Sequence, residues 1–216
     1  MTVFIFEGPD NLGKSTIIKS LVNEYKDVRD ICMIHFTGPH CENGEDPFEY
    51  QKRTFFAKVK KIITISQYNK LIGKQNDDII ILDRSWIGEY VYGQIYRNGN
   101  ADKIINMIND CNAMLSREDI KLVFVRLDAT PEFVIYHDDN KSFTSDYDES
   151  KRLATVTKEI KLFKEAFDKI AIDNTKAVKM SVCVQNVNSN TADEYRTVDS
   201  IYNQIKANIK IVGIEI

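Results

Sequence analysis

The sequence predicts an α/β fold: a three-layer sandwich in which a five-stranded, mostly parallel sheet carries helices on both faces and a lid loop. Three observations point there. Apolar runs of strand length alternate with segments of helical period, the order that builds parallel sheets through crossover helices. Ile79–Leu82 is an unbroken apolar run ending in Asp83, as expected of a central strand buried on both faces. A glycine-containing loop separates the first apolar run from the first amphipathic segment.

Val3–Phe6 is the first strand, and Lys14–Tyr25 the first helix, with Ile17, Ile18, Leu21 and Val22 on one face. Ile31–Phe36 reads as a second strand. A long helical pattern from Pro47 to Gly73 follows, carrying Phe55, Phe56, Val59, Ile62 and Ile63. After the Ile79–Leu82 strand come helical stretches at Trp86–Tyr96 and Ala101–Leu115. Leu122–Leu127 is the fourth strand, and Pro131 suits the first turn of the helix behind it. Asp138–Ser150 is polar without apolar period and reads as a mobile lid. Leu153, Val156, Ile160, Phe163, Phe167 and Ile170 then recur at spacings of three and four, an amphipathic helix. Val178–Val184 and Tyr195–Ile209 are the last strand and helix. No linker or repeat interrupts the pattern, so residues 1–216 are expected to form one domain.

Composition narrows the function classes. The 216 residues carry 29 Lys and Arg against 32 Asp and Glu, a net charge of −3, which argues against bulk electrostatic binding to nucleic acid or membrane. Only 8 of the 29 cations are Arg, so any planar fork onto phosphate draws on those few. Cys32, Cys41, Cys111 and Cys183 form no C-x-x-C pair and show no zinc spacing with His35, His40 or His137. No role is assigned to the histidines. The N-terminus lacks a basic leader, and no apolar run approaches the ~20 residues of a membrane span. A reduced, cytoplasmic protein is the expectation.

The chemistry sits in Gly8-Pro9-Asp10-Asn11-Leu12-Gly13-Lys14-Ser15, a full G-x-x-x-x-G-K-[ST] motif between a strand and a helix. This is a P-loop, and it sets the fold as P-loop NTPase type. Its glycines let backbone N–H groups wrap phosphates, and the helix start adds donors and a positive dipole end. ATP is thus expected on Gly8, Asn11, Leu12, Gly13, Lys14, Ser15 and Thr16. Lys14 reaches the β- and γ-phosphates, and Ser15 coordinates Mg²⁺. Asp83 ends a buried strand where open α/β sheets bind ligands, which suits a metal and acceptor site; a helix cap or a Lys ion pair is the plainer alternative. Arg84, directly after it, suits a forked contact to acceptor phosphate.

Several motifs together resemble the thymidylate kinases, over roughly residues 3–170. Phe6-Glu7-Gly8-Pro9-Asp10-Asn11-Leu12-Gly13-Lys14-Ser15-Thr16 is similar to that family's loop, with a Glu before the first Gly and an Asp inside it. Asp83-Arg84 resembles its Asp-Arg pair, Val91-Tyr92 its Ala-Tyr element, and Leu127-Asp128-Ala129-Thr130-Pro131-Glu132 its Leu-Asp-x-x-Pro-Glu signature. Asp148–Phe167 is similar to its lid and following helix. The resemblance implies transfer of the ATP γ-phosphate to a deoxynucleoside monophosphate, most often dTMP, with Mg²⁺, in a protein whose relatives are often homodimers. It implies Asp10 at the sugar, Arg53 and Arg84 at acceptor phosphate, Phe56 and Tyr92 at the base, and Arg152 as the lid cation beside Lys14, Asp83 and Arg84. Glu7 is left between orienting Arg84, helping a metal and plain structural pairing, and Phe55 between base stacking and core. Lys141 is a second lid cation.

The sequence also departs from that pattern. His35-Phe36-Thr37-Gly38-Pro39 lacks the Arg and Glu of the family's Arg-Glu-Pro element, and the lid has Lys141 but no Arg before Arg152. Arg97 and Arg126 stay unassigned; Arg29, Arg117 and Arg196 fall off the inferred site. Three alternatives remain open: a deoxynucleoside kinase with Glu7 or Asp83 as base for a 5′-hydroxyl, a kinase for a modified nucleotide or a base within DNA, and a non-catalytic nucleotide-binding protein.

Overall fold

A computed structural model describes residues 1–41, 44–74, 78–118, 120–138, 142, 144, 147–172, 176–186 and 194–211. In chain order the elements are β1 (Thr2–Glu7), α1 (Lys14–Tyr25), β2 (Ile31–His35), α2 (Pro47–Leu71), β3 (Ile79–Asp83), α3 (Ile87–Tyr96), α4 (Ala101–Ser116), β4 (Lys121–Asp128), α5 (Pro131–Tyr136), α6 (Glu149–Lys169), β5 (Ala177–Cys183) and α7 (Val198–Ile211). The strands form one five-stranded sheet in the order β2-β3-β1-β4-β5, and every pairing is parallel. The expected α/β sandwich is the observed one, with parallel pairing throughout its strands.

Strand periodicity divides the core into two layers. Val3, Ile5, Ile80, Leu82, Leu122 and Phe124 face a cluster built with α2, α3, α4 and the C-terminal half of α6. Phe4, Phe6, Ile79, Ile81, Val123 and Val125 face the other, built with α1, α5 and α7. Because adjacent strand residues point to opposite faces, a sheet covered on both sides needs continuous apolar runs, and these are the runs legible in the sequence.

Side-chain caps set several helix starts. Asp46 accepts from Phe48 N at 2.7 Å, with Pro47 opening α2. Asn100, Thr130 and Asp148 cap α4, α5 and α6 in the same way. The last helix starts later than its apolar pattern suggests. Tyr195 instead pairs antiparallel with Gln185, Arg196 N donates to Val184 O at 2.8 Å, and Thr197 Oγ1 accepts from Ser200 N. Among the described residues no helix is long and apolar enough to cross a membrane.

The parallel order places the carboxyl ends of β2, β3, β1 and β4 along one rim. The loops after β1 and β3 therefore lie side by side. This is the rim at which open α/β sheets hold ligands.

Candidate active site

The loop after β1 is shaped by its backbone. Gly8 has φ 134° and Gly13 φ 72°, and Asn11 also takes a left-handed φ of 62°. A Cβ at Gly8 would lie 2.5 Å from the carbonyl oxygen of Leu127 at the end of β4, so a side chain there cannot be accommodated. α1 starts at Gly13 with no side-chain cap, which leaves its N-terminal donors available to an anion.

Lys14, only 7% exposed, folds over this loop and donates to Gly8 O at 2.9 Å and Pro9 O at 2.6 Å. Its Nζ is 3.9 Å from Asp10 Oδ1. Burial lowers the lysine pKa, with Asp10 pulling the other way. Arg84, at φ 64°, donates its backbone N–H to Phe6 O and its guanidinium to Asp10. Asp83 stands at the end of β3, where the register sets it beside His35 of β2; His35 Nδ1 is 3.1 Å from its Oδ2.

These residues enclose a cavity of about 310 Å³, lined by Asp10, Asn11, Leu12, Gly13, Lys14, Ser15, Thr16, His35, Asp83, Arg84 and Ser142. A second, narrower cavity of about 50 Å³ adjoins it, with walls from Phe36, Phe55 and Tyr92 and polar groups from Gln51, Glu89 and Arg97. Arg84 lines both cavities.

Glu7 lies beneath the junction, 1% exposed. Its Oε1 accepts from Ser85 Oγ at 2.6 Å and Gly88 N at 3.3 Å, while Oε2 has no hydrogen-bond partner among the described residues. Burial pushes its pKa from 4.5 up to about 7, against the pull of Ser85 and Lys14. A carboxyl with a higher pKa folded than unfolded stabilises the fold below pH 4.5 and loses that contribution as pH rises through about 7. Glu7→Gln should therefore gain stability relative to the parent between pH 5 and pH 8, on the order of 3 kcal/mol. Urea unfolding at the two pH values measures it, and a pH-independent difference would disprove the assignment.

Asp138, just after α5, is tied to the loop that follows β1. That carboxylate, 3% exposed, pairs with Arg152, accepts from Asn11 Nδ2 at 3.2 Å and from Ser142 Oγ at 2.6 Å. Arg152 thus stands beside a small cavity shared with Asp10, Asn11 and Glu159, and does not line the larger one. Glu159 accepts from Tyr96 Oη at 2.8 Å, and burial raises its pKa to about 7. Lys141 falls outside the described residues, as do residues 139, 140, 143, 145 and 146 of the segment 138–150.

Two of the acceptor residues expected from sequence lie elsewhere. Arg53 is 68% exposed, paired with Glu45 at 2.7 Å, and Phe56 packs partly buried against the core without lining either cavity. The reason is helical phase. Gln51, Phe55, Val59 and Ile62 share the buried face of α2, and Arg53 and Phe56 are turned off it by two positions and one. Phe55 and Gln51 take the cavity-lining places. Tyr92 lies in the cavity wall, with Phe163 edge-on at 5.9 Å, and burial raises its phenol pKa well above 10. His35, Gln51, Glu89, Arg97 and Asp138 were not singled out in the sequence. Gln51 alone carried a readable signal, a polar residue in register with the apolar face of α2.

No protein-family model matches the chain, and no curated protein matches it in sequence. In three dimensions it is similar to the YorR protein from Bacillus subtilis, solved in complex with phosphorylated GDP. The identity is 18% and the TM-score 0.51, over 97% of this chain and 96% of that one. It is also similar to polyphosphate kinase 2 from Arthrobacter aurescens TC1, at 14% identity and TM-score 0.61, covering 98% of this chain and 66% of that one. A third is a putative polyphosphate kinase 2 from Pseudomonas aeruginosa PA01, at 16% identity and TM-score 0.59, covering 97% of this chain and 42% of that one. The chain thus spans about two thirds and less than half of the two polyphosphate kinases. The fold and the loop define a P-loop protein with the three-layer α/β architecture found in kinases. The likeness is one of fold, and none of the three is a thymidylate kinase by its description.

Proposed function

We propose that this protein is a nucleotide kinase that transfers the γ-phosphoryl group of ATP to a deoxynucleoside monophosphate, dTMP foremost. The observation that carries the reading is Arg84, which lines both the P-loop cavity and the aromatic-walled one. A guanidinium shared by two adjoining cavities suits a reaction that joins a donor phosphate in one to an acceptor phosphate in the other. Similarity to a protein solved with phosphorylated GDP and to two polyphosphate kinases supports phosphate chemistry on this scaffold.

An acceptor monophosphate is already anionic, so transfer rests on in-line positioning and charge neutralisation more than on a base. Lys14 and the loop N–H groups hold the donor phosphates. Arg84, fixed by Asp10, orients the acceptor phosphate, and Phe36, Phe55 and Tyr92 exclude water around its base. Arg152, held by Asp138 at the lid base, supplies a further cation near Asn11. Among the described residues no cluster of three His, Cys, Asp or Glu stands ready for a metal. Mg²⁺ asks less of the protein, one or two oxygen ligands alongside substrate phosphates. Ser15 and Asp83, both in the larger cavity, fit that demand and would hold an ion that adds positive charge at the phosphates.

Coupled ADP-release measurements across deoxynucleoside monophosphates and deoxynucleosides test the reading. A monophosphate should accelerate ATP consumption by at least about tenfold over background. A protein that binds ATP but responds to no monophosphate would end the proposal. Response to thymidine and not dTMP would select a nucleoside kinase, a second reading favoured by Glu7, whose buried Oε2 lacks a hydrogen-bond partner among the described residues and lies near Gly88 of the acceptor cavity.

A further inference from the structure

The narrower cavity has an unusual polar floor. Its walls are aromatic, yet Glu89, 3% exposed, and Arg97, 20% exposed, form an ion pair there at 2.6 Å. Two glycines make the arrangement possible. A Cβ at Gly93 would lie 2.6 Å from Glu89 Oε1, so a side chain there would push the carboxylate from its present place. Gly99 N donates to Gly93 O at 2.9 Å, and a Cβ at Gly99 would strike Ile104 and the Gly93 backbone. The chain after α3 therefore folds back and returns Arg97 to Glu89 across two helical turns.

A structural ion pair accounts for one edge of the guanidinium. The hydrogen bond runs from Arg97 Nη2 to Glu89 Oε2, whereas Arg97 Nε is buried with no hydrogen-bond partner among the described residues. Burial raises the Glu89 pKa, and the neighbouring Arg97 guanidinium opposes that shift. A buried guanidinium N–H without an acceptor is costly, and arginine can only donate. Such a group calls for an incoming acceptor atom, in a cavity whose aromatic walls suit a flat ring.

We propose that Arg97, positioned by Glu89, is a specificity-determining residue that reads an exocyclic oxo group on the nucleobase of the acceptor. This rests on the nucleotide-kinase reading and deepens it by naming the substrate class: bases such as thymine, uracil or guanine, whose carbonyl oxygen accepts, over adenine, whose exocyclic amino group would meet the guanidinium donor to donor. Glu89 holds the fork and withholds its own carboxylate from the base. The reader is thus on the turn after α3, not on α2 where Arg53 faces solvent.

Calorimetric titration of the full chain with dTMP, dGMP and dAMP tests this separately from turnover. The parent protein should bind dTMP or dGMP at least about tenfold more tightly than dAMP, since a site built around a polar contact discriminates strongly. Arg97→Gln should bring the ratio to within about twofold while ATP affinity stays close to the parent's; its melting temperature should fall, because Glu89 is left buried without its partner. Arg97→Lys, which preserves a charge beside Glu89 but not the fork, guards against misfolding of the first variant and should also lose most of the preference. Glu89→Gln should lose part of it, because the guanidinium is then less firmly aimed. A folded Arg97→Gln or Arg97→Lys protein that keeps the parent's ratio overturns the proposal, as does a parent that favours dAMP or binds neither class. Retained base preference without phosphoryl transfer would instead sink the kinase reading and leave this one standing.

Discussion

Replacing Lys14 with alanine is expected to lower nucleotide-dependent ATP turnover by about 10³-fold, because on the proposed kinase reading it removes the buried cation of the donor-phosphate loop. The expectation follows from where the amine sits. It is buried at 7% exposure, and two loop carbonyls hold it inside the loop, so little competing solvation reduces its effect on a phosphate. Burial has lowered its pKa, and the Asp10 carboxylate beside it pulls the other way. Alanine is a good former of the first turn of α1, so the fold should survive. Steady-state kinetics with the best acceptor, alongside a melting curve, decides the matter. Turnover within tenfold of the parent in a folded variant would remove Lys14 from the machinery.

Arg84→Lys is the second large effect, an expected loss of about 10²-fold in kcat/KM for the acceptor with ATP binding nearly unchanged. Charge is conserved, so the variant isolates geometry. The arginine fork serves Asp10 on one side and two cavities on the other. A lysine ammonium is a point charge that can satisfy one of these directions and not hold all three. Both side chains would endure the same left-handed backbone at φ 64°, so strain does not distinguish them. A loss smaller than threefold would show that Arg84 acts as a charge alone and would weaken the two-cavity reading.

The fold was legible because its physics is local and repetitive. The Ile79–Leu82 run and the Val3–Phe6 run are buried on both faces, and such strands have no room for polar residues. The loop from Gly8 to Ser15 was legible for another reason: at Gly8 φ is 134° and β4 approaches closely, so chemistry and sterics coincide at the same letter. The acceptor side was less readable. Which residues of α2 reach the cavity depends on rotation of one or two positions, and Phe55 and Phe56 are identical in type. Pairing of His35 with Asp83 depends on strand register, which sequence alone does not state. The Glu89–Arg97 floor depends on a turn that two small residues permit, and their signature is space, not a motif.

One feature of the sheet bears on how the protein comes into being. β1 lies in the middle, and Thr2 pairs with Ile79 on one side and Lys121 on the other. The phosphate loop is thus encoded before both of the strands that hold its parent strand straight. During synthesis β1 and the loop that follows it must wait, unpaired, until β3 and then β4 emerge. Long-range parallel pairing of this kind is slow to form, and the exposed Val3–Phe6 run meanwhile offers two bare edges to other chains. Nucleotide, which needs the assembled rim, would bind only the finished sheet and favour it by mass action. The order of the letters and the order of assembly run in opposite directions here, so β1, encoded ahead of both its partners, is among the last strands to be held in place.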